Sequence, residues 1–309
     1  MCAADLFSRV ASPEAPVLWS RVGMPVSRRR RSRLFISVVL WCVLTALVVA
    51  FVLVPGLDAS GTAVGHGSHY VREQEGHDGA IVFVHGVMGD GISTWTNPNT
   101  KAYWPQLLTE DRAFDNYNIF VYEYDSPRLG KSYSIDEIVE NMRSVLESSG
   151  VLGHREINFL AHSMGGLVTR GFLVRYQRIT PKIPLIYFYS TPTTGSQWAN
   201  IAEFLSKNRQ FHDMLPMGAN SFIENLQSSW LAAKLDVCSF CAYEVKDTDG
   251  IDIVARQSAT ALCTESLEPI PEDHISIVKP ADRGSIPYIA FKTAFTKTHD
   301  PKGPRVCKH

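Results

Sequence analysis

From residue 80 onward the chain alternates short apolar runs with longer amphipathic segments. Runs rich in β-branched and aromatic residues predict strands at residues 80–84, 118–124, 156–160, 183–190 and 237–245, with a short additional strand at 251–255. Apolar residues at helical spacing predict helices at 134–149, 164–178 and 286–295, the first beginning with a capping box of Ser134 and Glu137. This alternation predicts an α/β fold, a mostly parallel sheet with helices on both faces. We expect one such domain at residues 80–298 and a polar tail at 299–309.

A longer apolar run precedes this domain. Residues 34–54 are 21 consecutive residues without charge, proline or glycine, close to the ~20 needed to span a bilayer core. An arginine-rich cluster at 28–33 comes directly before them, so the positive-inside rule places residues 1–33 in the cytoplasm. We predict an uncleaved transmembrane signal-anchor, with the folded domain on the extracytoplasmic (periplasmic, extracellular or lumenal) side. A cleaved secretory signal and a start at Met24 are alternatives that the sequence leaves open.

Residues 55–79 join the apolar run to the domain, and their glycine, serine and histidine content is typical of a flexible linker. His66, His69 and His77 lie in this segment. Spaced histidines in a linker are more often solvated than bound to metal, so we expect no metal site here.

Composition limits the function classes. The chain has 309 residues, 30 Lys and Arg against 31 Asp and Glu, and 45% hydrophobic residues, which is typical of a globular protein and not of a disordered chain. The near-zero net charge does not support nucleic-acid binding. Residues 1–33 hold seven arginines and two acids, so the rest of the chain carries a net charge of −6.

A serine between a predicted strand and a predicted helix is the strongest chemical signal. Ser163 lies in Ala161-His162-Ser163-Met164-Gly165, with small residues two positions away on both sides. This is the pattern of a nucleophile elbow, in which the serine occupies a strained turn and bulky neighbours would clash. The helix that follows offers the backbone N–H of Met164 to an oxyanion. The turn after the first strand of the domain offers the N–H of Val87 as a second donor.

A base and an acid are expected after this serine along the chain. His274, His299 and His309 are the late histidines, and we favour His274 because the other two lie in the polar tail. His85 adjoins the oxyanion turn, where we expect a structural hydrogen bond rather than base catalysis.

The acid should follow the strand at 237–245, at the carboxyl edge of the sheet. Glu244 ends that strand and is our first choice. Asp249 and Asp252, and less so Asp247, remain alternatives in the loop that follows.

Several ordered motifs together resemble the α/β-hydrolase superfamily, and in particular its serine-active-site, lipase-like branch related to GPI inositol-deacylases. They include VFVHGVMGDGISTW at 82–95, INFLAHSMGGLVTR at 157–170, STPTTGS at 190–196 and DHISIVKPADR at 273–283. The resemblance implies that Ser163 is the nucleophile and His274 the base, and it favours Glu244 as the acid. Two positions depart from the family pattern: Ala161 replaces a glycine, and Thr193 stands where relatives often carry histidine.

The segment at 197–236 is rich in Phe, Met and Leu, and two interpretations stay open. Lipase-like relatives often carry a cap here that forms the acyl pocket; alternatively, its helices simply pack on the sheet. Cys238, Cys241, Cys263 and Cys307 follow the predicted anchor and allow three disulfide pairings. The Cys238-x-x-Cys241 spacing falls in a strand, where the two side chains point to opposite faces, which disfavours zinc or redox chemistry.

Together these features predict a membrane-anchored serine hydrolase that cleaves carboxylic esters, with lipid esters favoured, through an acyl-enzyme on Ser163. The alternatives are an acyltransferase using the same triad and a non-catalytic binding module on a hydrolase fold. We expect an ester or lipid substrate, contact with the membrane through the N-terminal helix, no nucleic-acid partner, and no metal or organic cofactor.

Overall fold

The computed structural model describes residues 67–125, 134–194, 201, 219–265 and 267–300, all within the second of two compact units, 1–63 and 64–309. The predicted anchor at 34–54, the cytoplasmic segment at 1–33 and most of the linker therefore lie outside the described residues. So does most of the tail at 299–309. Within the described ranges, no helix has the length and apolarity that a bilayer crossing requires.

A seven-stranded sheet organises the domain, in the order β1-β3-β2-β4-β5-β6-β7. The strands are β1 His69–Arg72, β2 Gly79–Val84, β3 Tyr117–Tyr122, β4 Glu156–His162, β5 Leu185–Tyr189, β6 Cys238–Glu244 and β7 Leu267–Ile270. β1 pairs antiparallel with β3, and all other neighbours pair in parallel. The result is an α/β-hydrolase-like mixed sheet whose parallel strands end at one common edge.

Helices lie on both sides of this sheet. They are α1 Trp104–Thr109, α2 Ile135–Ser148, α3 Met164–Arg175, α4 Ala219–Ala233, α5 Arg256–Ala259 and α6 Ile286–Thr298. Alternate residues of a strand point to opposite faces; thus Val82 packs in the same core cluster as Phe172 of α3, whereas Phe83 packs with Phe291 of α6. The interior strand β2 is buried along its whole length, which explains its continuous apolar run.

Most predicted elements are confirmed within a few residues. The capping box is present, because the Ser134 side chain accepts from the Glu137 N–H while the Glu137 carboxylate accepts from the Ser134 N–H. The helix predicted at 164–178 ends at Arg175 and continues as a 3-10 turn, Gln177–Lys182. The final helix runs to Thr298, and His299 of the predicted tail caps it and contacts Glu156.

Two predictions about strands were wrong. Residues 69–72 of the predicted linker form β1. Its side chains are half-buried, and it pairs antiparallel with β3 as the outermost strand on one side of the sheet. Residues 251–255 do not form a strand. Ile251 makes only an isolated bridge to Thr248 around the turn at Asp249 and Gly250, both of positive φ, and the last strand of the sheet is β7 instead.

One of the possible disulfides is present, between Cys241 and Cys263, and Cys238 is disulfide-bonded as well. Cys238 and Cys241 pack in the core clusters on opposite faces of the sheet, as their spacing in a strand predicts. Cys307 lies outside the described residues. Closing a loop over 22 positions stabilises a domain by about 3 kcal/mol in the chain-entropy model.

Candidate active site

Ser163 lies in a strained turn between β4 and α3. Its backbone has φ 51° and ψ −127°, a conformation that non-glycine residues rarely adopt. The turn is held because the Ser163 N–H donates to the Tyr189 carbonyl at 2.9 Å. A Cβ at Gly165 would lie 2.3 Å from the carbonyl oxygen of His85, so only glycine allows α3 to start this close to β2. The sequence pattern of a nucleophile elbow is thus a real geometric constraint here.

The side chains of Ser163, His274 and Glu244 form a connected chain. His274 Nε2 lies 3.0 Å from Ser163 Oγ, and His274 Nδ1 lies 3.2 Å from each Glu244 carboxylate oxygen. A carboxylate only accepts, so Nδ1 carries the proton and Nε2 is free to accept the serine proton. All three side chains are buried, which limits competition from water.

The loop after β6 holds the acid and the base in place. Glu244 Oε1 accepts a second hydrogen bond, at 2.9 Å, from the backbone N–H of Val254. The N–H of His274 donates to Thr248 Oγ1 at 3.0 Å. The segment predicted as a strand at 251–255 therefore orients the carboxylate rather than extending the sheet.

The other candidates lie elsewhere. Asp247, Asp249 and Asp252 are exposed, and burial, followed by the charges of Glu244 and Asp247, raises the pKa of Asp252 above its usual range. His299 bonds to Glu156, which begins β4 at the opposite edge of the sheet from Ser163. His309 lies outside the described residues. The structure thus brings His274 and Glu244 to Ser163, and none of the alternatives.

Two backbone N–H groups, those of Val87 and Met164, belong to the turns that flank Ser163. Val87 follows Gly86, where an added Cβ would lie 2.7 Å from Ser163 Cβ, and a bond from the Gly89 N–H to the Gly86 carbonyl closes the turn at 3.2 Å. Met164 is the first residue of the 12-residue helix α3. Within the described part of the chain, neither N–H has an acceptor, so both are available to a developing oxyanion.

His85 has the structural role that the sequence suggests. Its Nδ1 donates to the Gly86 carbonyl at 2.8 Å, and Nε2 accepts from the Tyr124 N–H at 3.2 Å. The two rings stack at 4.2 Å, and the Tyr124 hydroxyl donates to the His85 carbonyl. With both nitrogens bonded to backbone groups, His85 fixes the start of the oxyanion turn.

His162 is a site residue that the sequence reasoning did not identify. Its Nε2 donates at 2.8 Å to the backbone carbonyl of His274, and the two rings lie 4.9 Å apart. Burial, with the neighbouring His274 as a second cause, depresses the pKa of His162 well below its usual value. The neutral ring therefore ties the strand that carries Ser163 to the loop that carries the base. Its place directly before Ser163 was the available signal.

Thr193 contacts a buried cation. Its hydroxyl accepts a short hydrogen bond from Arg170, whose guanidinium lies 4.1 Å from the Phe188 ring centroid. Burial lowers the pKa of Arg170 to about 9. Thr193 therefore makes a local polar contact with the helix α3, which carries Arg170.

A cavity of about 160 Å³ adjoins the triad, with His274, His162 and Gly86 in its lining. Apolar side chains from the oxyanion turn, the loop after β6 and the loop around His274 line most of it: Val87, Met88, Ile201, Ile253, Ile275 and Val278. Lys279 lies at its edge and donates to the Ser93 carbonyl. The surroundings suit an apolar group next to a reacting carbonyl.

The segment at 197–236 contributes to both the core and the cavity. In α4, Ile223, Leu226 and Trp230 are buried in the same core cluster as Phe172 of α3, which fits helix packing. Ile201 lines the cavity, as a cap residue would. Residues 202–218 lie outside the described ranges.

Two of the three linker histidines, His69 and His77, lie in the described residues, and each bonds to a neighbouring polar group. His69 Nδ1 bonds to the Gly67 carbonyl, and His77 Nδ1 bonds to Asn118. Across the described residues no group of histidine, cysteine, aspartate or glutamate is arranged to hold a metal ion. His66 lies outside them.

Comparison with known proteins found no matching family model and no matching curated protein. Solved structures with a similar fold include a carboxylesterase of the thaumarchaeon Nitrososphaera gargensis, at 15% identity over 74% of this chain and 95% of that one, with a TM-score of 0.48. A bacterial membrane phospholipase A is 14% identical over 85% of this chain and 99% of that one, with a TM-score of 0.48. A putative lipase of Acinetobacter baumannii is 12% identical over 76% of this chain and 93% of that one, also with a TM-score of 0.48. The likeness concerns the fold alone.

Proposed function

We propose that this protein is a serine hydrolase that cleaves carboxylic esters through an acyl-enzyme on Ser163. The observation that carries the proposal is the buried chain of contacts from Ser163 through His274 to Glu244.

The geometry supports each step of ester cleavage. His274 Nε2 accepts the Ser163 proton as Oγ attacks the carbonyl carbon, and the N–H groups of Val87 and Met164 hold the oxygen that becomes negative. His274 then gives the proton to the leaving alcohol. Water then attacks the acyl carbon and gives a proton to the same nitrogen. The bond between that carbon and Oγ breaks and His274 returns the proton to Oγ, which releases the acid and regenerates Ser163. Glu244 stabilises the imidazolium in both halves without taking a proton.

Lipid esters are the substrate class that we favour. The cavity has about 160 Å³, comparable with the roughly 150 Å³ that accommodate a benzene molecule in an engineered protein core. It therefore fits a short apolar segment next to the carbonyl, and a longer chain would extend through its open side. A relation to GPI inositol-deacylases stays a prediction.

We further propose that residues 34–54 anchor the protein in a membrane, with the hydrolase domain on the extracytoplasmic side. The uncharged run and the arginines before it support this orientation. The disulfide between Cys241 and Cys263 adds support, because structural disulfides persist mainly in oxidising compartments.

The test is hydrolysis of a series of soluble and lipid esters by the purified protein, compared with Ser163→Ala. We expect release of the free acid by the parent only. Adding an alcohol acceptor distinguishes the acyltransferase alternative, because a transferase would form the new ester at the expense of the acid. Equal turnover by Ser163→Ala would contradict the proposal.

A further inference from the structure

The position at which the chain enters the domain is set by the polarity of β1. β1 runs antiparallel to β3, and His69 pairs with Val121, next to the last residue of β3. β3 is parallel to β2 and β2 to β4, so the carboxyl end of β3 lies at the same edge as the end of β4, where Ser163 follows. The chain therefore enters at the active-site edge.

Side-chain contacts place this entry beside the oxyanion turn. Ser68 Oγ bonds both the carbonyl and the N–H of Glu123, at 3.0 and 2.9 Å. The Glu123 carboxylate accepts from the N–H of Gly91 at 2.9 Å, and Gly91 is two residues beyond Gly89, which closes the turn. Hydrogen bonds from Ser68 to Glu123 and from Gly91 to Glu123 thus connect the start of the domain to the loop that carries Val87.

Exposed apolar side chains occur at this same edge. Val245 is 58% exposed and directly follows Glu244, and Ile275 is 45% exposed and directly follows His274. Ile286, 44% exposed, begins α6, where the Pro287 carbonyl accepts from the hydroxyl of Tyr189, the last residue of β5. Large side chains of this kind are costly to leave in water, at about 25 cal/mol per Å² of apolar surface.

We propose that this edge of the domain docks on the surface of a neutral, zwitterionic lipid bilayer, so that the cavity at Ser163 opens toward the membrane. The proposal rests on the membrane anchor and ester hydrolysis proposed above. It adds an orientation to them and a surface, Val245, Ile275 and Ile286, which we call the apolar rim.

The chain length between anchor and domain favours this occupant. Twelve residues, 55–66, separate the predicted anchor from Gly67. They reach at most about 40 Å when fully extended and about 20 Å as a flexible coil. A compact domain of ~230 residues is on the order of 45 Å across. A connection of this length lets the edge at which the chain enters reach the bilayer, whereas the opposite edge is farther away by about the diameter of the domain.

Charge selects the kind of lipid surface. The loops that carry Val245 and Ile275 hold five acids, Asp247, Asp249, Asp252, Glu272 and Asp273. Their cations are Lys246, which lies 3.7 Å from Glu272, and Lys279 at the edge of the cavity. A surface with this excess of negative charge is not attracted to anionic lipids. The favourable contact is therefore the burial of its apolar side chains in a zwitterionic bilayer.

The experiment uses the full chain reconstituted in phosphatidylcholine vesicles, with one ester dissolved in the bilayer and a short-chain ester in the water. Val245→Asn combined with Ile286→Asn should lower the rate on the bilayer ester about tenfold and leave the rate on the soluble ester within twofold. Leu231→Asn is the matched control. Leu231 is 60% exposed and lies near the end of α4, shortly before β6 begins at the opposite edge of the sheet; this variant should keep both rates.

The outcomes separate the two proposals. Failure of the parent to cleave either ester contradicts the proposed function, whereas an unchanged bilayer rate in the double variant, or an equal loss in Leu231→Asn, overturns the docking surface alone. Binding is measured independently with Ile275→Trp, whose added fluorescence brominated phosphatidylcholine should quench, while that of Leu231→Trp should not be quenched. Equal quenching at both positions overturns the orientation. A severalfold higher rate with 30 mol% phosphatidylserine overturns the choice of a neutral surface.

Discussion

Replacing Glu244 by glutamine tests the acid of the triad with almost no change in shape. The carboxylate now accepts from the Val254 N–H through Oε1 and from His274 Nδ1 at 3.2 Å. In Glu244→Gln, the amide oxygen keeps the bond to Val254 and the NH₂ group takes the place of Oε2, 3.2 Å from Nδ1. The neutral amide no longer stabilises the imidazolium, and its NH₂ group favours the tautomer in which Nδ1 accepts and the proton is on Nε2. In that tautomer Ser163 has no base.

We expect a large loss in kcat, with little change in substrate binding or in folding. In an analogous serine triad, replacing the acid by its amide lowers kcat about 10⁴-fold, which corresponds to about 5 kcal/mol in the activation barrier. The assay is steady-state hydrolysis of a soluble ester near pH 7.5, with the melting temperature as a check on folding. We expect KM to change little, because Glu244 does not line the cavity.

The matched controls are Asp249→Asn and Asp252→Asn, which remove the same charge from the neighbouring loop. Both variants should retain at least half of the parent's kcat. A folded Glu244→Gln protein with more than a tenth of the parent's kcat would refute the assignment, as would a greater loss in Asp252→Asn.

The remaining predictions concern the turn, the buried histidine and the disulfide. Gly165→Ala should lower activity more than 100-fold, because its Cβ would lie 2.3 Å from the His85 carbonyl oxygen and the displaced helix would misplace a donor of the oxyanion hole; near-parental kcat would contradict this. Burial depresses the pKa of His162 well below its ordinary value of 6.5. Below about pH 6.5 the unfolded chain therefore binds a proton that the folded chain does not, and the free energy of unfolding decreases as the pH is lowered. Urea unfolding at pH 7.5 and 5.5 should show a loss about 1.4 kcal/mol smaller in His162→Gln than in the parent; equal losses would exclude this role. Replacing both Cys241 and Cys263 by serine should lower the free energy of unfolding by about 3 kcal/mol, measured by chemical denaturation, and no change would show that the bond does not support the fold.

Local signals in the sequence were sufficient for the central part of the sheet and for the strained turn at Ser163. The strand β4 and the helix α3 are adjacent in the chain, and the steric demand at Gly165 is a property of that single turn. His274 and Glu244 were found through the order of a triad along the chain and through a family resemblance. Their contact, across 30 positions, depends on how the loops at the carboxyl edge pack.

The features that the sequence did not predict share a physical cause, because each depends on contacts with distant parts of the chain. The segment 251–255 has the apolar residues of a strand, yet the turn at Asp249 and Gly250 and the bond from Val254 to Glu244 use its backbone differently. The short β1 has a polar sequence and forms because β3 leaves an edge to pair with. The role of His162 depends on the carbonyl of a residue 112 positions away, which no local pattern indicates.

The most direct test of the account is covalent labelling of Ser163. The purified protein is treated with a fluorophosphonate, digested and analysed by mass spectrometry, in parallel with Ser163→Ala and with Glu244→Gln. We predict one phosphonate adduct, on the peptide that contains Ser163, which is absent in Ser163→Ala and forms far more slowly in Glu244→Gln. An unlabelled parent protein, or an adduct that persists in Ser163→Ala, would contradict a hydrolase built on this serine.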